Sequence, residues 1–245
     1  MKTDVRQWPR MDSTPNDTTG ITDTLFAIKK RIEDAALGCG RSPEQVRLVA
    51  VGKTQPVERI RQVIASGADI IGENYIQEAR EKFDRLHQIS VQWHFIGHLQ
   101  RNKVKYAVRM FDLIHTVDSL RLAREIDEQA RKVDKVQPIL VQVNNSGELT
   151  KSGIEEAKAS ALVQDILNMR HLRLQGLMTM PPYFNAPEKA RPYFASLRNL
   201  RDRLVDQFNV PLAELSMGMT GDFEAAIEEG ATLVRIGTAL FGARQ

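Results

Sequence analysis

Lys53 terminates the apolar run Leu48-Val49-Ala50-Val51, and alternation with period two places Val49, Val51 and Lys53 on one face of an extended segment. An amine aimed where apolar side chains aim is costly unless it is used. Desolvation lowers the pKa of an ammonium, and the neutral amine can then attack an aldehyde to form a Schiff base. A strand-end lysine that simply reaches water is the plainer alternative, so its neighbours must decide.

Two later segments supply that context. Ser216-Met217-Gly218-Met219-Thr220-Gly221-Asp222 and Arg235-Ile236-Gly237-Thr238 each pair glycines, which let a backbone approach an anion closely, with hydroxyls that can donate to it. The amides that open a following helix add partial positive charge. Taken singly, Gly218 and Gly237 read as turn glycines and Thr220 or Asp222 as a helix N-cap; side by side, the two loops suit a phosphate. Arg235 shares strand parity with Leu233 and Gly237, stays protonated, and if buried needs a carboxylate or a ring nitrogen as acceptor. An amine for an aldehyde, a phosphate cradle and an arginine together suit pyridoxal 5′-phosphate. The residue chemistry alone leaves open a Schiff-base lyase or aldolase for a sugar phosphate.

His94, His98 and His115 are candidate bases, with hydrogen-bonded structural histidines as the alternative. Four residues along a strand span about 13 Å, so His94 and His98 cannot share a zinc ion, and no metal is expected.

Positioning such groups needs elements in a regular order. Eight short apolar runs, Leu48–Lys53, Asp69–Tyr75, Trp93–Leu99, Asp112–Asp118, Pro138–Asn145, Leu174–Met180, Leu212–Gly218 and Thr232–Thr238, alternate with helical patterns, and an amphipathic helix over Ile21–Leu37 precedes them. Strand–helix alternation implies parallel strands with right-handed crossovers, and eight such units predict an α/β fold, a single (β/α)8 TIM barrel preceded by one helix. An open doubly wound sheet is the rival, but Gly52-Lys53-Thr54-Gln55-Pro56 is not the glycine loop expected after its first strand. Residues 21–245 are assigned to the barrel, and 1–20, with Pro9, Pro15 and no periodicity, to a disordered extension without chemistry. Barrel enzymes and binders work at the C-terminal ends of the strands, and here the run ends deliver Lys53, Asn74, His98, His115, Met178, Ser216, Gly237 and Thr238.

Composition excludes several classes. The chain has 34 Lys and Arg against 31 Asp and Glu, a net charge of +3 that makes no basic face for nucleic acid. Cys39 is the only cysteine, which excludes an internal disulfide and cysteine-rich metal sites. No apolar run reaches membrane length and no signal peptide opens the chain, so a cytoplasmic protein without membrane partners is expected.

The segments Val49-Ala50-Val51-Gly52-Lys53-Thr54, Gly72-Glu73-Asn74-Tyr75-Ile76-Gln77-Glu78, Trp93-His94-Phe95-Ile96-Gly97-His98-Leu99-Gln100-Arg101-Asn102-Lys103, Lys151-Ser152-Gly153, Gly176-Leu177-Met178, Leu215-Ser216-Met217-Gly218-Met219 and Arg235-Ile236-Gly237-Thr238-Ala239-Leu240-Phe241-Gly242 together resemble the pyridoxal phosphate homeostasis protein family. The resemblance implies a barrel like the N-terminal domain of alanine racemase and a cofactor held reversibly as an aldimine on Lys53. It further implies Ser216, Gly218, Met219, Gly237 and Thr238 around the phosphate, Arg235 at the pyridine nitrogen, and Asn74, His94 and Met178 among the cofactor-binding residues. The expected role is buffering or delivery of pyridoxal phosphate, to pyridoxal-phosphate-dependent apoenzymes among others, with an influence on amino-acid and keto-acid balance and no catalysis. A monomer is expected. The alternative is a monomeric amino-acid racemase, against which stands the short stretch after Thr238, too short for the C-terminal β domain of alanine racemases. Thr220 replaces the family's usual serine and keeps its hydroxyl; Gln55 replaces a second lysine of some members. Lys151 is a candidate second amine, with an exposed loop lysine as the simpler reading.

Overall fold

The computed structural model describes residues 18–148 and 151–242. The strands are β1 (Arg47–Val51), β2 (Ile70–Glu73), β3 (Gln92–Phe95), β4 (Leu113–Val117), β5 (Gln137–Asn144), β6 (Ile154–Glu155), β7 (Leu172–Met178), β8 (Glu214–Ser216) and β9 (Leu233–Ile236). All pairings are parallel. β1 to β5 pair in sequence, β5 continues to β7, then β8 and β9, and β9 returns to β1. That ring of eight strands is the predicted TIM barrel, and its closure removes the open sheet as a rival. β6 is a two-residue appendage on β5 that sequence reading did not anticipate.

Helices α1 (Thr18–Gly38), α2 (Val57–Ala65), α3 (Ile76–Leu86), α4 (Val104–Met110), α5 (Leu120–Lys132), α6 (Glu156–Leu167), α7 (Arg191–Phe208), α8 (Phe223–Glu228) and α9 (Thr238–Phe241) surround it. Their apolar stripes arise from three- and four-residue spacing, as in α5, where Leu122, Ala123, Ile126 and Ala130 are buried and the Ser119 hydroxyl caps the Leu122 amide. α1 starts at Thr18, three residues before the predicted boundary; the rest of the expected extension lies outside the described residues. It buries Ile21, Leu25, Ile28, Ile32 and Ala36. Among the described residues β9 is followed by the four-residue α9, and α1 packs against α8, α9 and α2 to fill the outer position beside them.

Period-two alternation divides the strand side chains. Ala50, Ile71, Ile114 and Ile236 join the large core between barrel and helices, whereas Val49, Ile70, Leu113, Leu140, Met178 and Leu233 form a separate cluster inside the barrel. No described helix is long and apolar enough to cross a membrane.

Candidate functional site

At the C-terminal ends of the strands a cavity of about 520 Å³ opens among β1, β2, β9 and the loops after β7 and β8. Lys53, Asn74, Met219, Arg235, Gly237 and Thr238 line it, together with Thr54, Gln55, Thr220, Gly221 and Asp222. Six of the ten predicted cofactor-binding residues therefore meet in one place, although they lie on segments far apart in the chain.

The loop after β8 is shaped by Gly218, whose φ of 90° and tight seat against α8 leave no room for a side chain: a Cβ there would stand 2.6 Å from the Ala226 Cβ. Its carbonyl accepts the Arg235 amide, which ties the loop to β9. Gly218 thus supports the cavity wall without lining it. Asp222 accepts the Met219 amide at 2.6 Å, so that amide is already spent. Burial pushes the Asp222 carboxyl up, an effect the Met219 hydrogen bond opposes. The Ala239 amide donates to the Thr220 hydroxyl, linking the two loops, while the amides of Thr220, Gly221 and Thr238 have no partner among the described residues.

Below the cavity runs a buried polar chain. Arg235 donates to the Ser216 hydroxyl (2.6 Å) and to the Thr179 carbonyl (2.9 Å), Ser216 meets His115 Nδ1 (2.8 Å), and His115 Nε2 meets His94 Nδ1 (3.0 Å). Arginine can only donate, so the arrangement that satisfies every group has Ser216 donating to His115 Nδ1 and His115 Nε2–H donating to His94 Nδ1. Burial, with Arg47 adding to it, pushes the His94 pKa down to about 3. Burial and the neighbouring His94, Arg235 and Arg47 hold His115 well below its ordinary value. Both rings are neutral at pH 7. Burial likewise lowers Arg235 to about 10, which leaves it charged, and no carboxylate touches its guanidinium.

The structure thus places His94, Met178, Ser216 and Gly218 beneath or beside the cavity rather than in its lining. Met178 belongs to the apolar barrel interior. His98 is exposed and His94 is locked to His115, so neither histidine of that segment presents a base to the cavity. Lys151 is not the exposed loop lysine of the simpler reading: its Nζ is buried, 3.4 Å from Glu148. It does not line the cavity. Sequence reading gave no binding role to Ile96, Met180, Tyr183, Phe184 and Phe241, which supply an apolar rim; Met180 ended the expected run Leu174–Met180, whereas Tyr183 and Phe184 carried no signal in the sequence.

The lining residues fit the expected ligand by what they leave unsatisfied. Asn74 Oδ1 is buried without a hydrogen-bond partner, Arg235 carries a charge with no counter-ion in contact, and three loop amides are unspent. An aromatic ring bearing a phosphate to accept from the amides, an acceptor atom for Arg235 and a hydroxyl to donate to Asn74 Oδ1 would satisfy all of them.

The family model of the alanine racemase N-terminal domain matches residues 25–245. The pyridoxal phosphate homeostasis protein of Aquifex aeolicus is 46% identical over 223 residues, which is 91% of this chain and 98% of that one. Its counterpart in Escherichia coli K12 is 39% identical over 231 residues, covering 91% and 97%. Among solved structures, PipY of Synechococcus elongatus PCC7942 with PLP bound superposes with a TM-score of 0.82 at 33% identity, over 91% of this chain and 100% of PipY. Alanine racemase of Clostridium difficile 630 shares the fold at a TM-score of 0.71 and 19% identity, over 91% of this chain and 57% of that enzyme. On its barrel and its relatives alike, the chain belongs to the pyridoxal phosphate homeostasis proteins, within the alanine racemase N-terminal domain family.

Proposed function

We propose that this chain binds pyridoxal 5′-phosphate through Lys53 and takes part in its homeostasis, holding and releasing the cofactor rather than turning over a substrate. The observation that carries this reading is the convergence of Lys53, the unneutralised Arg235 and the unspent amides of two loops on one cavity. When bound, the cofactor supplies an aldehyde that a lysine amine takes up reversibly and a ring able to delocalise charge. Lys53 would hold the aldehyde carbon, and Thr220, Gly221 and Thr238 the phosphate. Arg235, which cannot give up its proton at neutral pH, would leave the ring nitrogen an acceptor and so weaken the ring as an electron sink. Ser216 and Thr179 orient the guanidinium from below.

The same lining favours a holder over a racemase. Racemisation at Cα by a two-base route takes a proton-transfer group on each face of the substrate. Apart from Lys53, the titratable groups lining the cavity among the described residues are Asp222, Arg235 and Tyr183, the last 84% exposed at the rim. Purified protein supplied with the cofactor is expected to absorb in the visible, and Lys53→Ala to lose that absorbance. Borohydride reduction followed by mass spectrometry should place a pyridoxyl group on Lys53. Solvent-deuterium incorporation at Cα of any L-amino acid, lost in Lys53→Ala, would instead establish catalysis.

A further inference from the structure

The proposed function leaves unused the most deeply buried pair of opposite charges described. Lys82 of α3 and Glu73 at the end of β2 have side chains 5% and 0% exposed and meet at 2.8 Å. Burying an ion pair costs several kcal/mol per ion, and an apolar pair of similar volume would commonly serve stability as well or better. What the lysine touches explains its presence. Lys82 Nζ donates to the Gly52 carbonyl at 2.6 Å. One turn earlier on α3, Glu78 accepts the Thr54 amide at 2.8 Å and stands 3.6 Å from Lys82.

Gly52 and Thr54 flank Lys53. The two peptides around the reactive lysine are thus held from the same helix, one by a cation and one by an anion. Thr54 has φ 62°, a left-handed conformation that a threonine does not adopt without restraint. Gly52 is pinned as well: a Cβ there would lie 2.6 Å from Glu73 Oε1. The side chains of this pair are sealed from water, and that burial pushes the Glu73 carboxyl up to about 7 even though Lys82 opposes it.

We propose that Lys82, braced by Glu73 and Glu78, is a positioning residue for Lys53: it fixes the Gly52-Lys53-Thr54 turn so that the amine enters the cavity already oriented for a carbonyl. This inference rests on the assignment of Lys53 as the cofactor lysine. It predicts that the brace matters to ligands that condense with the amine and not to those that only fill the cradle.

Two probes separate these cases, pyridoxal 5′-phosphate and pyridoxine 5′-phosphate, which carries the same phosphate and ring but an alcohol in place of the aldehyde. In Lys82→Met, dissociation constants by calorimetry should rise at least about tenfold for the aldehyde and stay within about twofold for the alcohol. Circular dichroism reports whether the barrel is retained. Glu78→Ala releases the Thr54 side of the turn, keeps the Lys82–Glu73 pair intact, and should show a smaller change of the same kind; it decides the matter if Lys82→Met does not fold. Unchanged aldehyde affinity in a folded variant, or parallel loss for both ligands, overturns the brace. Wild-type protein that binds neither ligand overturns the cofactor assignment itself.

Discussion

His94 and His115 face each other inside the barrel, and their contact shows what a linear pattern hides. His115 reaches Ser216 across a separation of 101 residues, so no spacing rule connects them, whereas Lys53, Gly237 and Thr238 were legible because each ends a strand and strand ends share one face of a barrel. Lys82 was equally hidden, since a lysine in the charged stretch Arg80-Glu81-Lys82 reads as solvated. Two outcomes follow at this scale. Nitrogen-detected NMR should show two of the five histidines neutral and without titration from pH 8 down to pH 5. Glu73 gives the opposite pH signature. Its folded pKa of about 7 lies above the ordinary 4.5, so its contribution to stability is fully present below pH 4.5 and is lost as pH rises through 7. Relative to Glu73→Gln, the wild type should lose up to about 3 kcal/mol across that window, read from denaturant midpoints. Comparison with the variant is required because the buried histidines act in the other direction: their folded pKa values are depressed, and the stability they carry falls away below pH 6.5.

At the scale of elements, the eight strands and the helices between them followed from hydrophobic period, and the observed boundaries differ by a few residues. β6 and α9 escaped because two and four residues are too few to display a period. The connections between elements hold the site more tightly than pattern reading could reveal. A Cβ on Gly97 would stand 2.0 Å from the Asn74 carbonyl oxygen, so the segment after β3 is pressed against the segment after β2. Gly97→Ala should displace Asn74 and weaken pyridoxal phosphate binding several-fold, with a stability loss of about 1–3 kcal/mol. Gly218→Ala combines a positive φ with overlap on α8 and should cost at least as much. Calorimetric binding and thermal melts on the two variants check both expectations.

At the scale of the molecule, closure was inferred from the count of strand–helix units, and the β9–β1 and β4–β5 ladders supply it. The role of α1 was not legible: its amphipathic pattern announced a helix, but only its contacts with α8, α9 and α2 show that it completes the outer ring. Leu25, 1% exposed on the buried face of α1, gives the test. Leu25→Ala should destabilise by about 2–5 kcal/mol in equilibrium unfolding, as for a core leucine rather than a peripheral one.

That arrangement sets an order in time. β1 needs β9, and α1 needs α8 and α9; Arg31 of α1 and its partner Glu224 are 193 residues apart. At roughly 5–20 residues per second, α1 waits on the order of 10–40 s after its synthesis for its seat. Thr238 and Phe241 of α9 also wall the cavity, so the cofactor has nowhere to bind until the same moment. Nascent chains stalled before β9 should therefore stay protease-sensitive with or without pyridoxal phosphate, and the cofactor can reward only a barrel that has already closed.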